Sequence, residues 1–567
     1  MTESQQPSGK PNASQAQQTG QPAPPGALGP VQTIPRRNFI LIIGGLMTGL
    51  LLGAIDQTIV ATAGPTIISD LGGLNLYAWV FSAYILTQTV AMPIFGKLSD
   101  LYGRRRFFIL GLVIFMAGSI ASGAAQNIDE LILSRAIQGL GGGAFFPIAL
   151  GIAGVTFPPE QRGRITGIFS SVFGIASVLG PSVGTYIVDI TSWRWVFYIN
   201  LPLGVASIVL LLAGLSESKS AIKPKLDLFG IPALAAWIAL LDVGFLSGGS
   251  TYPWLSWQEA AFFGGAALFF AVFIQIERTT AEPVLPLSLF RVRNISSASG
   301  VSFLRGLMLL AVVSYIPLFV QAGLGLSINT SSDILDAFLL PMIVGSVIGG
   351  TLVTRVSYRN LTVVGLVIAT VGAYSLTLFS ATVGVAQIAV SVAATGFGVG
   401  TTFSATFLAI QNSAPRKQIG IASSLPQFMG NLGGTIGLAI LGTVQVNTFA
   451  SKVSGVLAGV PPQYQQIASQ YLGNANLAGQ ILASPQALHQ RVTQYPALQS
   501  LIEPLRVAFV ASISPLFTAG VVIGVASIAA GMLFKGSMKQ QLLARQMAAA
   551  DAANRKDLDE TPTIAPL

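Results

Sequence analysis

Only 9% of the 567 residues are charged, against roughly 25% in a soluble domain, and 52% are apolar, which excludes a soluble globular enzyme and points to a polytopic membrane protein. The net charge of +9 suggests nucleic acid until the basic residues are placed: nearly all fall in alternate short loops, where their partner is an anionic membrane leaflet. Cysteine is absent, which removes disulfide and thiol chemistry, and no phosphate loop, His-Glu-x-x-His or Cys/His metal spacing occurs, so the expectation is no enzyme, no metal and no cofactor.

Residues 1–37 are rich in Pro, Gln, Gly and Ser and predict a disordered cytoplasmic tail. Apolar runs of about 20 residues, enough for a ~30 Å hydrocarbon core, then predict fourteen spans: 38–59, 77–96, 107–126, 130–156, 163–188, 194–215, 229–247, 257–276, 295–322, 333–354, 361–380, 385–410, 420–447 and 507–534. The first run starts late and lacks a small-residue cleavage site, so it reads as a retained span and not as a signal peptide. Arg104 to Arg106, Arg162, Arg164, Lys223, Lys225, Arg291, Arg293, Arg416 and Lys417 all fall on one side, which places both termini in the cytoplasm.

Span 1 carries Ile55-Asp56-Gln57-Thr58-Ile59-Val60. An ionisable residue within a span is a functional candidate, and Asp56 lies about 18 residues, or ~27 Å, from the cytoplasmic start, in the outer third. The bland alternative is a helix-end carboxylate that only meets water. Between spans 2 and 3, Gly96-Lys97-Leu98-Ser99-Asp100-Leu101-Tyr102-Gly103-Arg104-Arg105-Arg106 demands a tight turn and sets a carboxylate, guanidinium groups and helix ends within bonding reach. As a mere basic anchor it would need the arginines but not the order of Gly96, Asp100, Gly103, Arg104 and Arg105.

Span 4 carries Arg135, Gln138, Gly139 and Gly141 to Gly143. Arg135 lies only ~7 Å from the exterior end, at the depth of Asp56, so the two should pair directly or through water, and such a pair could hand a proton across, a proton-coupling role that their fit to the family motifs named below also implies. Arg135 could otherwise simply tie helix ends through backbone carbonyls. Span 5 carries Gly174, Gly180, Pro181, Gly184 and Thr185, in which Gly-Pro bends the helix and the glycines admit a close neighbour. Span 6 opens on Trp193-Arg194-Trp195-Val196-Phe197-Tyr198-Ile199-Asn200-Leu201-Pro202.

Beyond these, Arg305 in span 9 needs a polar or acidic partner that its own helix lacks, and Asp333 and Asp336 open span 10. Arg305, Asp336 and Gln138 are candidates for the substrate or ion path, whereas Asp242 reads as outside it. Segment 449–505 is the one long exterior stretch and holds the single histidine, His489, which reads as inert. Residues 535–567 form a second cytoplasmic tail.

The pairs Pro158 and Pro415, Gly163 and Gly420, Thr166 and Ser423, Gly139 and Gly396, and Gly143 and Gly400 all lie 257 positions apart. Two parallel halves follow, 38–215 and 295–534, with a two-helix insertion at 216–294. In the second half Val392 replaces Arg135 and Leu438 replaces Pro181, which concentrates the coupling residues in the first.

The loop at Gly96 to Arg106, the Arg135 to Gly139 element and the parallel repeat resemble the major facilitator superfamily of secondary transporters. The Asp56 element, the Gly180-Pro181-Gly184 element and the start of span 6 are similar to those of its fourteen-helix drug:proton antiporters, although Thr185 stands where that family has a second glycine. The resemblance covers about residues 38–534. It implies an all-α fold of six plus two plus six helices and a monomer in the plasma membrane. The implied function is export of amphipathic, cationic or neutral compounds by alternating access, driven by protons flowing inward. A dedicated exporter of a lipid, metabolite or self-made antibiotic would carry the same elements.

Overall fold

The computed structural model describes residues 36–71, 76–157, 159–215, 227, 229–249, 251–280, 282–379, 383–415, 418–458 and 499–536. The two expected tails, His489, most of 449–505, Lys223, Lys225, Arg416, Lys417 and the side chain of Pro181 lie outside the described residues.

Apart from one isolated bridge between Gly248 and Tyr252, the regular structure among the described residues is helical. A hydrocarbon solvent offers backbone groups no partners, so each span must satisfy its own. In chain order the helices are α1 (Arg36–Leu71), α2 (Tyr77–Tyr102), α3 (Arg104–Ala124), α4 (Ile128–Gly142), α5 (Phe145–Thr156), α6 (Pro159–Ile190), α7 (Trp195–Tyr198), α8 (Asn200–Gly214), α9 (Gly230–Ser247), α10 (Trp257–Thr279), α11 (Arg293–Leu318), α12 (Ile328–Leu352), α13 (Tyr358–Thr377), α14 (Val385–Ser413), α15 (Ile419–Ala458) and α16 (Gln499–Met532). Twelve helical stretches among the described residues are long and apolar enough to cross a membrane. The long helix α6 and the shorter apolar stretch Gly230–Phe245 of α9 stand where the sequence predicts spans 5 and 7.

Several boundaries differ from the sequence reading. The expected single span 130–156 is two helices, α4 and α5, jointed at Gly143 and Ala144. Helix α1 continues past 59 to Leu71, and α15 continues past 447 to Ala458. Hydropathy marks where a helix is in lipid, not where it ends, so extensions into the head groups escape it.

Glycines decide how the helices approach. A Cβ on Gly139 would strike the Tyr84 carbonyl of α2, one on Gly141 would strike Phe115 of α3, and one on Gly143 would strike Ala91 of α2. Alternate glycines thus let α4 lie against two neighbours at once. The second half repeats the arrangement: Gly396 and Gly400 of α14 abut Phe338 and Met342 of α12, and Gly398 abuts Gly365 and Ala369 of α13. Helices α1–α8 make one bundle and α11–α16 the other, meeting where α2 faces α15 and α6 faces α12. Helices α9 and α10 pack on each other, with Trp237 stacked on Phe273, and Lys97 of α2 bonds Glu282 at 2.8 Å.

Candidate functional site

Three groups of side chains stand out: a charged pair inside the first bundle, a latch at the basic-loop end, and a cavity between the bundles.

Asp56 of α1 and Arg135 of α4 are wholly buried and joined at 2.5 Å from Arg135 Nη1 to Asp56 Oδ2. Gln138, one helical turn on from Arg135, donates to Asp56 Oδ1 at 2.7 Å and accepts from Arg135 Nη1 at 2.7 Å. Asn200 donates to Asp56 Oδ1 at 2.9 Å and to Ser119 Oγ at 2.9 Å, and the Ser119 hydroxyl donates to the Phe197 carbonyl at 2.8 Å. Arg135 Nε adds a bond to the Val80 carbonyl, 3.3 Å away. The pairing read from equal depth is therefore present as a five-residue network across α1, α3, α4 and α8. Asn200 and Ser119 escape sequence reading because a serine or asparagine in a span is most often satisfied by its own helix. Asn200 does stand within the quoted stretch at the start of span 6.

The ring of Tyr84 in α2 lies under Arg135, 4.3 Å from guanidinium carbon to centroid. The Tyr84 hydroxyl accepts a hydrogen bond from Gln88 at 3.4 Å. Gln88 lines the cavity, while Asp56, Arg135 and Gln138 do not.

At the end bearing the basic loops, Gly103 takes φ +112, a conformation that favours glycine, and turns α2 into α3. The turn brings Arg104 back to Asp100 at 2.5 Å. Asp100 also crosses to the other bundle, accepting from the backbone N–H of Gly420 at 3.0 Å and of Ile421 at 3.1 Å, the first turn of α15. A carboxylate there meets orphan donors and the positive end of the helix dipole. Gly96 is what allows the approach, since its Cβ would lie 3.0 Å from the Gly420 carbonyl. Arg105 turns aside to bond the Leu215 carbonyl at the end of α8, at 2.6 Å. Gln411 donates across the same seam to the Leu150 carbonyl at 3.0 Å.

Between the bundles is a cavity of ≈ 220 Å³, walled by Leu50, Phe145, Phe146, Leu309 and Phe403 among others, with Gln57, Gln427 and Asn431 as polar points. Arg305 of α11 also lines it. Asn431 donates to Thr89 at 3.0 Å, joining the bundles at cavity depth.

Asp336 is half-buried on α12 and does not line the cavity. Gly180 of α6 faces α1, its Cβ position occupied by the Thr58 side chain, and Thr58 donates to the Ala176 carbonyl at 3.1 Å. Gly184 is buried on the same helix. Asp242 is buried on α9, away from the cavity wall. No group of acidic and histidine side chains suited to a metal occurs among the described residues.

The Major Facilitator Superfamily profile matches residues 46–438. Multidrug resistance protein 3 of Bacillus subtilis strain 168 is 37% identical over 485 residues, covering 85% of this chain and 94% of that protein. Multidrug transporter protein MdtP of the same organism is 34% identical over 520 residues, covering 90% and 94%. A crystal structure of the human organic anion transporter MFSD10 aligns with TM-score 0.55 at 14% identity, over 86% of this chain and all of that one, a likeness of fold alone.

Proposed function

The chain belongs to the Major Facilitator Superfamily, and from that premise we propose that it exports drug-sized amphipathic compounds in exchange for protons, by alternating access. It is a transporter and not an enzyme, related to multidrug resistance proteins. In this reading α6 and α9 join the twelve long apolar stretches to make fourteen spans, arranged six, two and six. The basic-loop end is cytoplasmic, the membrane is the plasma membrane and the protein works as a monomer.

The observation that carries proton coupling is the Asp56–Arg135 pair, fully buried and bonded at 2.5 Å. A charge pair taken out of water is weak evidence of stability, because desolvation offsets most of its attraction. Its use is that adding one proton changes the balance sharply. Protonated Asp56 no longer holds Arg135 by charge, and α1 and α4 are released from each other. Gly180 and Gly184 let α6 shift along α1 during that change.

The second element is the latch. Asp100 bonds the first turn of α15 and Arg104 bonds Asp100; in this reading those contacts hold the cytoplasmic end closed. Breaking two backbone bonds and a dipole contact opens it. The cavity between the bundles is the binding place of the exported compound, its walls apolar and its polar points few.

The test is transport by purified protein in proteoliposomes with an imposed pH gradient, using as cargo dye cationic rhodamine 6G and, in parallel, anionic 1-anilinonaphthalene-8-sulfonate, with a pH-sensitive dye in the lumen. Dye and protons should move in opposite directions, and a protonophore should abolish dye accumulation. Accumulation that survives collapse of the gradient would overturn the proposal.

A further inference from the structure

Two buried arginines in this protein are treated in opposite ways. Arg135 is matched by a carboxylate, an amide and a backbone carbonyl. Arg305, only 3% exposed, meets one hydroxyl, Thr406 Oγ1 at 3.2 Å, and the ring of Phe403, 3.7 Å from its guanidinium carbon. No carboxylate pairs with it among the described residues. Thr406 is itself committed, donating to the carbonyls of Thr402 and Phe403 at 2.9 Å each. A guanidinium has five N–H donors in a planar fork; Arg305 spends one on Thr406, and its side chain lines the cavity.

The rest of the wall does not compensate that charge. Among the described residues no aspartate or glutamate lines the cavity, and its other polar side chains, Gln57, Gln88, Gln427 and Asn431 among them, are neutral. The backbone beneath the arginine is closely held. The neighbouring Gly306 brings α11 against Gly430 of α15, where any Cβ would strike the Gly430 carbonyl, and Gly433 of the same helix abuts Phe303. The backbone under Arg305 is thus packed directly on α15, and Phe403 covers one face of the guanidinium. An uncompensated cation in an apolar chamber is costly in lipid surroundings, and an oxyanion is the partner its geometry fits.

We propose that the cavity selects amphipathic compounds bearing an anionic group, a carboxylate, sulfonate or phosphate, seated on Arg305 with the aromatic or aliphatic body against Phe145, Phe146 and Leu309. This rests on the cavity being the transport site and reverses the expectation of cationic or neutral cargo drawn from the sequence.

The experiment measures binding of three probes that share one body: pyrenebutyrate, its methyl ester and pyrenebutylammonium. Full-length protein is held in nanodiscs of phosphatidylcholine, so that no lipid carries a net negative charge. The carboxylate should bind about tenfold or more tightly than the ester or the ammonium, the gain of a charge-assisted bond out of water. Arg305→Gln should erase that preference, while Arg305→Lys should keep most of it. A Tm near that of the unsubstituted protein shows that each variant is folded. Repeating the titration with phosphatidylglycerol discs separates sources: competition that disappears in Arg305→Gln identifies a lipid headgroup as the oxyanion. Equal binding of all three probes, a preference for the ammonium, or a carboxylate preference that survives Arg305→Gln would each overturn the proposal. Failure of the exporter reading looks different. There the carboxylate would bind through Arg305 yet not be moved by a pH gradient in proteoliposomes.

Discussion

A single carboxylate, Asp56, is held by three side chains, and their chemistry sets what each substitution does. Asp56→Asn keeps an oxygen for Arg135 but removes the titrating group, so the variant should exchange bound compound across the membrane without accumulating it against a gradient. Counterflow and pH-driven uptake in the same vesicles check this, and full pH-driven uptake would exclude Asp56 from coupling. Arg135→Ala instead strands a buried carboxylate and should cost about 3–5 kcal/mol of stability. Combining it with Asp56→Asn should restore part of that loss, read as a higher Tm for the double variant than for Arg135→Ala alone. The pair itself is legible in the sequence, because opposite charges at one depth in lipid have few other partners. Asn200, Ser119 and Tyr84 are not legible, because their role depends on which way α8, α3 and α2 are turned, and apolar periodicity is nearly uniform around helices that lipid surrounds.

At the scale of helices, the contact of α2 with the first turn of α15 is the piece whose removal should change conformation and not folding. Asp100→Asn loses the charge on the α15 terminus and the ion pair to Arg104, while Gly103 still makes the turn. The variant should populate the state open to the cytoplasm and transport slowly at near-normal Tm. The chain has no cysteine, so a single Ser424→Cys in the buried first part of α15 reports access without background. Maleimide should label it several-fold faster in the Asp100→Asn protein, and equal labelling would argue that the loop is only an anchor. The Gly96 to Arg106 order announces a turn with charges, but its partner lies more than 300 positions along the chain, at Gly420. No local spacing encodes that distance. The 257-residue repeat comes nearest, since it places Gly163 and Gly420 at equivalent points of the two halves. The joint between α4 and α5 is likewise unreadable, because a glycine run is as compatible with a continuous packed helix as with a break.

For the molecule as a whole, alternating access requires that the two bundles part at the latch end. Gly154 at the end of α5 and Ile419 at the start of α15 face each other there, a Cβ on Gly154 lying 3.2 Å from Ile419 Cγ2. Cysteines at both positions fall near the Cβ separation of a disulfide, about 3.5–4.5 Å. Oxidised Gly154→Cys/Ile419→Cys protein should bind ligand but not turn over, and reduction should restore transport. Turnover in the oxidised form would show that the bundles need not separate at this seam. The twofold plan is the most legible feature of the chain, because close packing demands glycine at matching positions in both halves. The single charge on the cavity wall is the least legible, since any span could have supplied its counter-ion. That charge bears on energetics at the scale of the cell. With one proton entering per cycle, export of a monovalent cation would move no net charge, whereas export of a monovalent anion moves two charges in the same sense. At about 2.3 kcal/mol per charge per 100 mV, those two charges would add about 4.6 kcal/mol of voltage drive per cycle at 100 mV, so an exchange of protons for the anionic cargo proposed above would be electrogenic.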